Sequence, residues 1–389
     1  MRFRPLLAAA TVATVLAGCS SALGDSKTGT TTSGAVRIGL LIPQSGVYAA
    51  LGGDMKNGFN LYLSQHGGEL GGHKVSLDAA DEGAGPQTGV PAAAKLVQQD
   101  GVSAVVGVVN SAVALGVRST FIEAKVPLLV SNAGADGLTS PASPYIWRTS
   151  FDNGTVNAAM GALVAKDAAG KSVYLLAPDY AAGREQIGGF KKAFAAAGGK
   201  VAGERYSPFG TTQDFQPYLS AAQQSGASAV YAFYAGAEAV AFVKQYKAFG
   251  LSGRLPLYGP GFLTEGGVLQ AEGDAALGVQ TGLQYSNQLA TATNHAFVSA
   301  YVAAYGKAPS TYSVQTYDAA AVLDKALASA SGTSGADIAA ALPGVGSIAS
   351  PRGAWHFDAD HDPVQAYYLR KVVDHGGTLV NAVVGTLAG

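Results

Sequence analysis

The chain has 389 residues, with 25 Lys and Arg balanced by 26 Asp and Glu for a formal net charge of −1. This near-neutral balance, without a basic run, excludes electrostatic recognition of nucleic acid or of an anionic membrane surface. Hydrophobic residues are 48% and charged residues 13%, which excludes a disordered chain and favours large buried sheets.

The N-terminus carries an address. Met1-Arg2-Phe3-Arg4 supplies positive charge, and residues 5–17 are uncharged and largely apolar, shorter than the roughly 20 residues that span a bilayer. Residues 1–18 are therefore expected to be a cleaved signal peptide. The run Leu16-Ala17-Gly18-Cys19 reads as a lipoprotein signal: the small side chains admit a peptidase, and the Cys19 thiol takes a diacylglyceryl group at the new N-terminus. Two acyl chains hold a protein on a membrane where one does not. The expected location is the cell envelope, lipid-anchored on the outer face of the cytoplasmic membrane. Cys19 is the single cysteine, so an intrachain disulfide is excluded. Residues 19–35, rich in Ser, Thr and Gly, are expected to be a flexible tether.

From residue 36 onward, short apolar runs alternate with helical periodicity. Residues 36–42 form a nearly continuous apolar run ended by Pro43 and Gly46, the pattern of a strand buried on both faces. Helices are predicted over 49–65, 87–99 and 112–124, and strands over 73–80, 104–108 and 127–130. The rhythm restarts after 145–150, with strands over 172–177, 200–206, 229–234 and 255–258 and helices over 183–197, 214–225 and 237–250. Such alternation builds βαβ units with right-handed crossovers. A crossing strand follows over 278–285. Helices over 293–305 and 314–330 then return to the first lobe, and strand-like stretches over 353–357 and 364–373 cross back.

The fold class is therefore α/β, with two doubly wound, Rossmann-like lobes joined by a three-strand hinge. Lobe 1 is expected to hold 36–151 plus about 285–345, and lobe 2 152–284 plus about 346–389, since single cores rarely grow beyond about 250 residues.

Catalytic and cofactor signatures are missing. The run Ala165-Lys166-Asp167-Ala168-Ala169-Gly170-Lys171-Ser172 approaches a phosphate loop, but it lacks the first glycine and precedes its strand, so it reads as a helix end stopped at Gly170. No G-x-S-x-G run anchors a nucleophile elbow. The six histidines are scattered singly, without metal-ligand spacing. Asp358-Ala359-Asp360-His361-Asp362 resembles the start of a calcium loop, but Pro363 replaces the required glycine, and it reads as a solvated turn. No catalytic residue, metal or cofactor is expected.

Ligands of parallel α/β sheets gather beyond the carboxyl ends of strands. In the first lobe those loops carry Tyr48, then Asn110 and Ser111, then Asn132, Ala133 and Gly134. In the second they carry Tyr180, Tyr234, Gly261 and Phe262. The first lobe thus offers polar anchors and the second aromatic walls.

The order and spacing of these loops resemble the Leu/Ile/Val-binding protein family, the type I periplasmic receptors of ABC importers. The matching pieces are Ser45-Gly46 before Gly52-Gly53-Asp54-Met55, the 107–111 turn, Leu138-Thr139, Arg148-Thr149, Tyr180-Ala181-Ala182-Gly183 and Tyr317-Asp318-Ala319. The resemblance implies lobes that close on a small ligand, a non-enzymatic monomeric receptor, and ABC permease subunits as partners. It also implies that Ser111 binds a ligand carboxylate and that Tyr180 faces it. The family's acid for an α-ammonium group falls on Gly261, its threonine on Gly134, and an aromatic on Leu51. A buried ammonium without a carboxylate partner is costly. The expected ligand is therefore a small carboxylate with an apolar or aromatic body, in a cavity enlarged at Gly134 and Gly261. A Leu/Ile/Val-type receptor or a sensor for a signalling partner are the alternatives. A hydrolase is disfavoured by the missing nucleophile elbow.

Overall fold

The computed structural model describes residues 34–167 and 172–387. The signal segment, Cys19 and most of the tether lie outside the described residues, as does Gly170.

The first lobe is built from β1 (Val36–Ile42), α1 (Ala49–Gln65), β2 (Glu69–Leu70), β3 (His73–Asp81), α2 (Pro86–Gln98), β4 (Ala104–Gly107), α3 (Ser111–Ala124), β5 (Leu128–Val130) and β6 (Ile146–Arg148). Its sheet runs β2-β3-β1-β4-β5-β6. Strand β1 pairs in parallel with β3 on one side and β4 on the other, with Leu40 opposite both Ala79 and Val106. Its apolar run is continuous because helices cover both faces.

The second lobe follows with α4 (Asn153–Asp167), β7 (Ser172–Asp179), α5 (Ala181–Ala196), β8 (Lys200–Pro208), α6 (Gln216–Gln224), β9 (Ala229–Ala232), α7 (Gly236–Ala248), β10 (Leu257–Pro260), α8 (Gly267–Glu272) and β11 (Gln280–Leu283). The chain then forms α9 (Ala292–Tyr305), α10 (Thr311–Ser329), α11 (Gly335–Ala341), the short pair β12 (His356–Phe357) and β13 (Pro363–Val364), and the hairpin β14 (Tyr367–His375) and β15 (Thr378–Leu387). The second sheet runs β15-β14-β11-β10-β9-β7-β8. It is parallel from β8 to β11 and antiparallel at β14 and β15.

Helix α10 returns to the first lobe, where Gly58 of α1 meets it so closely that a Cβ there would stand 2.0 Å from the Ser313 carbonyl oxygen. Asp324 of α10 accepts the Tyr62 hydroxyl at 2.8 Å. The stretch before β14 also bonds to the first lobe. Arg352 pairs with Asp318 of α10 at 2.8 Å and donates to the Thr149 carbonyl at 2.7 Å. Asp362 holds the buried Arg148 at 2.6 Å. The expected boundary near 346 assigns this stretch to the second lobe, whereas its ion pairs are with the first. The 358–362 turn is likewise more than a solvated turn: His361 stacks on Trp147 at 3.6 Å. The predicted strand over 353–357 shrinks to β12, since Gly353 has a φ of 104° that strand residues do not adopt. Strand β15 has no counterpart among the predicted elements.

Candidate ligand-binding site

The first strand of each lobe is followed by a tyrosine and a helix packed hard against the strand end. In the first, a Cβ at Gly52 of α1 would lie 1.9 Å from the Pro43 carbonyl oxygen. In the second, a Cβ at Gly183 of α5 would lie 1.9 Å from that of Pro178. Only glycine permits that approach, and it sets Tyr48 and Tyr180 at facing strand ends. Their hydroxyls meet at 2.7 Å, so the lobes are closed on one another.

Behind this contact lies a small cavity lined from both lobes. Among the described residues, no charged side chain lines it. Ser111, Asn132, Asn153 and Gln186 supply polar groups. Ser111 is the first residue of α3, and Asn110 caps that helix by accepting the Ala112 and Val113 N–H groups. Ala182, in the first turn of α5, faces the cavity from the other lobe. Two helix N-termini, each carrying partial positive charge, therefore converge on a space without a cation.

The polar groups are held from behind. Asn153 donates to Glu185 Oε2 at 2.7 Å and to Ser111 Oγ at 3.4 Å. Gln186 accepts from Asn157 at 2.8 Å. Glu82, fully buried, accepts the Val109 and Asn110 N–H groups at 2.7 and 3.1 Å, and burial pushes its pKa up to about 8. Burial, with Asp152 and Glu185 beside it, pushes Asp136 up to about 7. Three fully buried atoms of the lining make no hydrogen bond: Asn132 Oδ1, Asn153 Oδ1 and Tyr312 Oη. Unpaired buried polar atoms are rare in folded proteins.

The remaining wall is aromatic. Tyr180 stacks on Phe209 at 4.1 Å and lies 6.3 Å from Phe233. Phe262 meets Phe151 at 4.8 Å and stands 6.3 Å from both Phe233 and Tyr312. Burial raises the Tyr48 and Tyr180 pKa values, so both phenols stay neutral.

Six of the residues singled out in the sequence come together here: Tyr48, Ser111, Asn132, Gly134, Tyr180 and Phe262. Four do not line the cavity. Asn110 is occupied as the cap of α3. Ala133 packs in the first-lobe core. Tyr234 turns away into the second-lobe core, 4.6 Å from Phe242 and 3.2 Å from the Ser207 hydroxyl. Its neighbour Phe233 faces the cavity instead, because successive residues of an extended segment point to opposite sides. Gly261 faces Arg370, whose Nη2 would lie 2.5 Å from a Cβ there. The expected enlargement is therefore absent. Arg370 and Leu283 fill the space at Gly261, and Phe151 and Asn153 fill it at Gly134.

Phe151, Asn153, Gln186, Phe233 and Tyr312 escaped the sequence reading. Asn153 and Tyr312 sit in the first turns of α4 and α10, Gln186 in the second turn of α5, and Phe151 in a crossing between lobes. A search confined to strand-end loops passes over these four positions, whereas Phe233 directly follows β9 and was missed in favour of its neighbour Tyr234.

Residues 35–378 match the family described as periplasmic binding protein. The Leu/Ile/Val-binding protein homolog 6 of Brucella melitensis biotype 1 is 32% identical over 360 residues, 90% of this chain and 91% of the relative. Among solved structures, an ABC transporter solute-binding protein from R. palustris in complex with benzoate is 38% identical, with a TM-score of 0.84 over 91% of this chain and 96% of that one. Another from R. palustris, in complex with 4-hydroxybenzoate, is 29% identical, with a TM-score of 0.85 over 91% and 97%. These relatives are solute-binding proteins rather than enzymes.

Proposed function

Because the chain belongs to the periplasmic binding protein family and is a solute-binding protein of ABC transporter type, we propose that it is the lipid-anchored receptor of an importer for small aromatic carboxylates. The observation that carries this reading is the cavity's chemistry. Hydroxyl and amide side chains line it together with aromatic rings, and among the described residues no acidic side chain lines the space to neutralise an ammonium group. The ligand carboxylate sits against the Ser111 hydroxyl and the N-termini of α3 and α5. Its ring lies among Tyr180, Phe233 and Phe262, where burying a side-chain-sized apolar body contributes about 1.5–3 kcal/mol. The benzoate and 4-hydroxybenzoate held by the similar solute-binding proteins support the same class.

A ligand that touches both lobes binds the closed form better than the open one, and that difference shifts the population toward closure. The closed surface is what permease subunits then recognise. Cys19, with its Leu16-Ala17-Gly18 run, would fix the receptor near the permease, and the receptor works as a monomer.

A thermal-shift screen of the purified protein against aromatic acids, aliphatic acids, amino acids and sugars tests the ligand class. Binding raises the melting temperature by mass action. A shift with amino acids or sugars and none with aromatic acids contradicts the proposal. Anchoring is tested in cells: Cys19→Ser should abolish lipid labelling and release the protein from the membrane fraction.

A further inference from the structure

We propose that the protein carries a second small-molecule site, between the lobes and beside the crossing at residues 284–288, that takes a neutral molecule with an apolar body and, when filled, tightens binding at the first cavity. The space is a cavity of about 610 Å³, within the roughly 300–1,000 Å³ range of ligand pockets, which favour domain interfaces. Leu51 and Pro309 line it from the first lobe, Val268, Leu269 and Leu379 from the second, and Ser286 from the crossing. None of these six lines the first cavity.

Charge selects the class of molecule. Four charged side chains line the space and pair off, Asp54 with Lys307 and Glu265 with Arg370 at 2.6 Å. An ion that entered would lose its hydration and find no uncompensated partner, which is costly. A neutral molecule escapes that cost. The apolar walls take its body, and the exposed amides of Gln270 and Gln288 offer it hydrogen bonds.

Three short segments serve both sites. Tyr48, Phe262 and Tyr312 line the first cavity, and Leu51, Glu265 and Pro309, each three residues away along the chain, line the second. Glu265 of the second lobe accepts the Thr311 N–H at 2.7 Å, next to Tyr312 on the helix that returns to the first lobe. A molecule in the second cavity touches both lobes, so it binds the closed form better than the open one and shifts the population toward closure. Coupling of this kind is reciprocal: ligand in the first cavity tightens the second by the same factor. Benzoate reads that coupling and rests on the aromatic-carboxylate proposal, whereas the second site itself does not depend on it.

The probe is N-phenyl-1-naphthylamine, a neutral apolar amine whose fluorescence rises out of water. It is titrated into the whole protein with and without saturating benzoate, and again into Ala308→Trp and Gly267→Trp. Both positions are exposed and line the second cavity, and a Cβ at Gly267 would meet nothing within 4 Å, so the melting temperatures should not change. The expected result is saturable probe binding that weakens about tenfold or more in the variants, as apolar burial is lost, and tightens about fivefold or more with benzoate. Absence of saturable probe binding, displacement of the probe by benzoate, or full-strength probe binding in both variants overturns the site. Benzoate that binds by calorimetry yet leaves the probe's affinity unchanged overturns the coupling. Failure of benzoate to bind overturns the aromatic-acid proposal, and the probe and the two variants then decide the second site without it.

Discussion

The Tyr48 hydroxyl of the first lobe stands 2.7 Å from the Tyr180 hydroxyl of the second. The two phenols belong to separate sheets, and a glycine-permitted helix packing brings each to its strand end. Their contact exists only when the lobes are closed, so it stabilises the closed state and not either lobe. Tyr180→Phe should therefore weaken ligand affinity by about twofold to tenfold, the worth of one net hydrogen bond, with the melting temperature of the free protein little changed. Calorimetric titration of the variant beside the parent checks this.

Ser111 is the hydroxyl anchor at the N-terminus of α3. Hydrogen bonds to a charged group contribute about 1.5–3 kcal/mol, so Ser111→Ala should weaken benzoate binding by about tenfold or more. The loss should be equal for benzoate and its ring-substituted derivatives, because it falls on the shared carboxylate.

Gly134 is packed against Phe151, whose Cε2 lies 2.3 Å from where a Cβ would stand. Gly134→Ala must displace the Phe151 ring, which itself touches Phe262 at 4.8 Å. Overpacking of this kind costs about 1–3 kcal/mol, and here it also narrows the cavity. The expected result is a lowered melting temperature together with lost binding. Gly261→Glu, which restores the amino-acid receptors' acid, should destabilise the protein through Arg370 and Leu283 without conferring leucine binding.

Arg370 is fully buried and joined to Glu265 at 2.6 Å, with the Gly261 and Tyr285 carbonyls as further acceptors. Removing one partner leaves an uncompensated buried charge, so Arg370→Met should cost about 3–5 kcal/mol. Urea unfolding measures it.

Stability should fall as pH rises. Burial pushes Glu272 up to about 9, Glu82 to about 8, and Glu238 and Asp136 to about 7. In each case the folded state keeps a proton that the unfolded state has released, so the stabilisation is complete below the unfolded pKa and is lost as pH climbs through the folded one. The urea midpoint should be higher near about pH 5 than near about pH 8, and Glu272→Gln should flatten that dependence. A midpoint that rises across this window contradicts the assignment.

The architecture was legible because buried parallel strands are written as continuous apolar runs, and β1 has the bounds its sequence predicts. Strand β15 was not legible. It pairs antiparallel at the sheet edge, where Asn381 and Gly385 interrupt any apolar pattern, although Gly376 and Gly377, both at positive φ, mark its turn. Within the site, strand-end loops revealed Tyr48, Ser111, Asn132 and Tyr180 because polarity and position coincide there. The choice between Phe233 and Tyr234 depends on which way the strand end faces, and composition carries no trace of that. Gly261 misled for a different reason: the space left by its missing side chain is filled by Arg370, more than a hundred residues away in the chain.

The proposed ligand class stands or falls on the cavity holding an aromatic carboxylate and not an amino acid. Isothermal titration of the protein with benzoate and with L-leucine tests it directly. Saturable binding of benzoate with no heat from leucine is the predicted result; saturable binding of leucine with none of benzoate would contradict it.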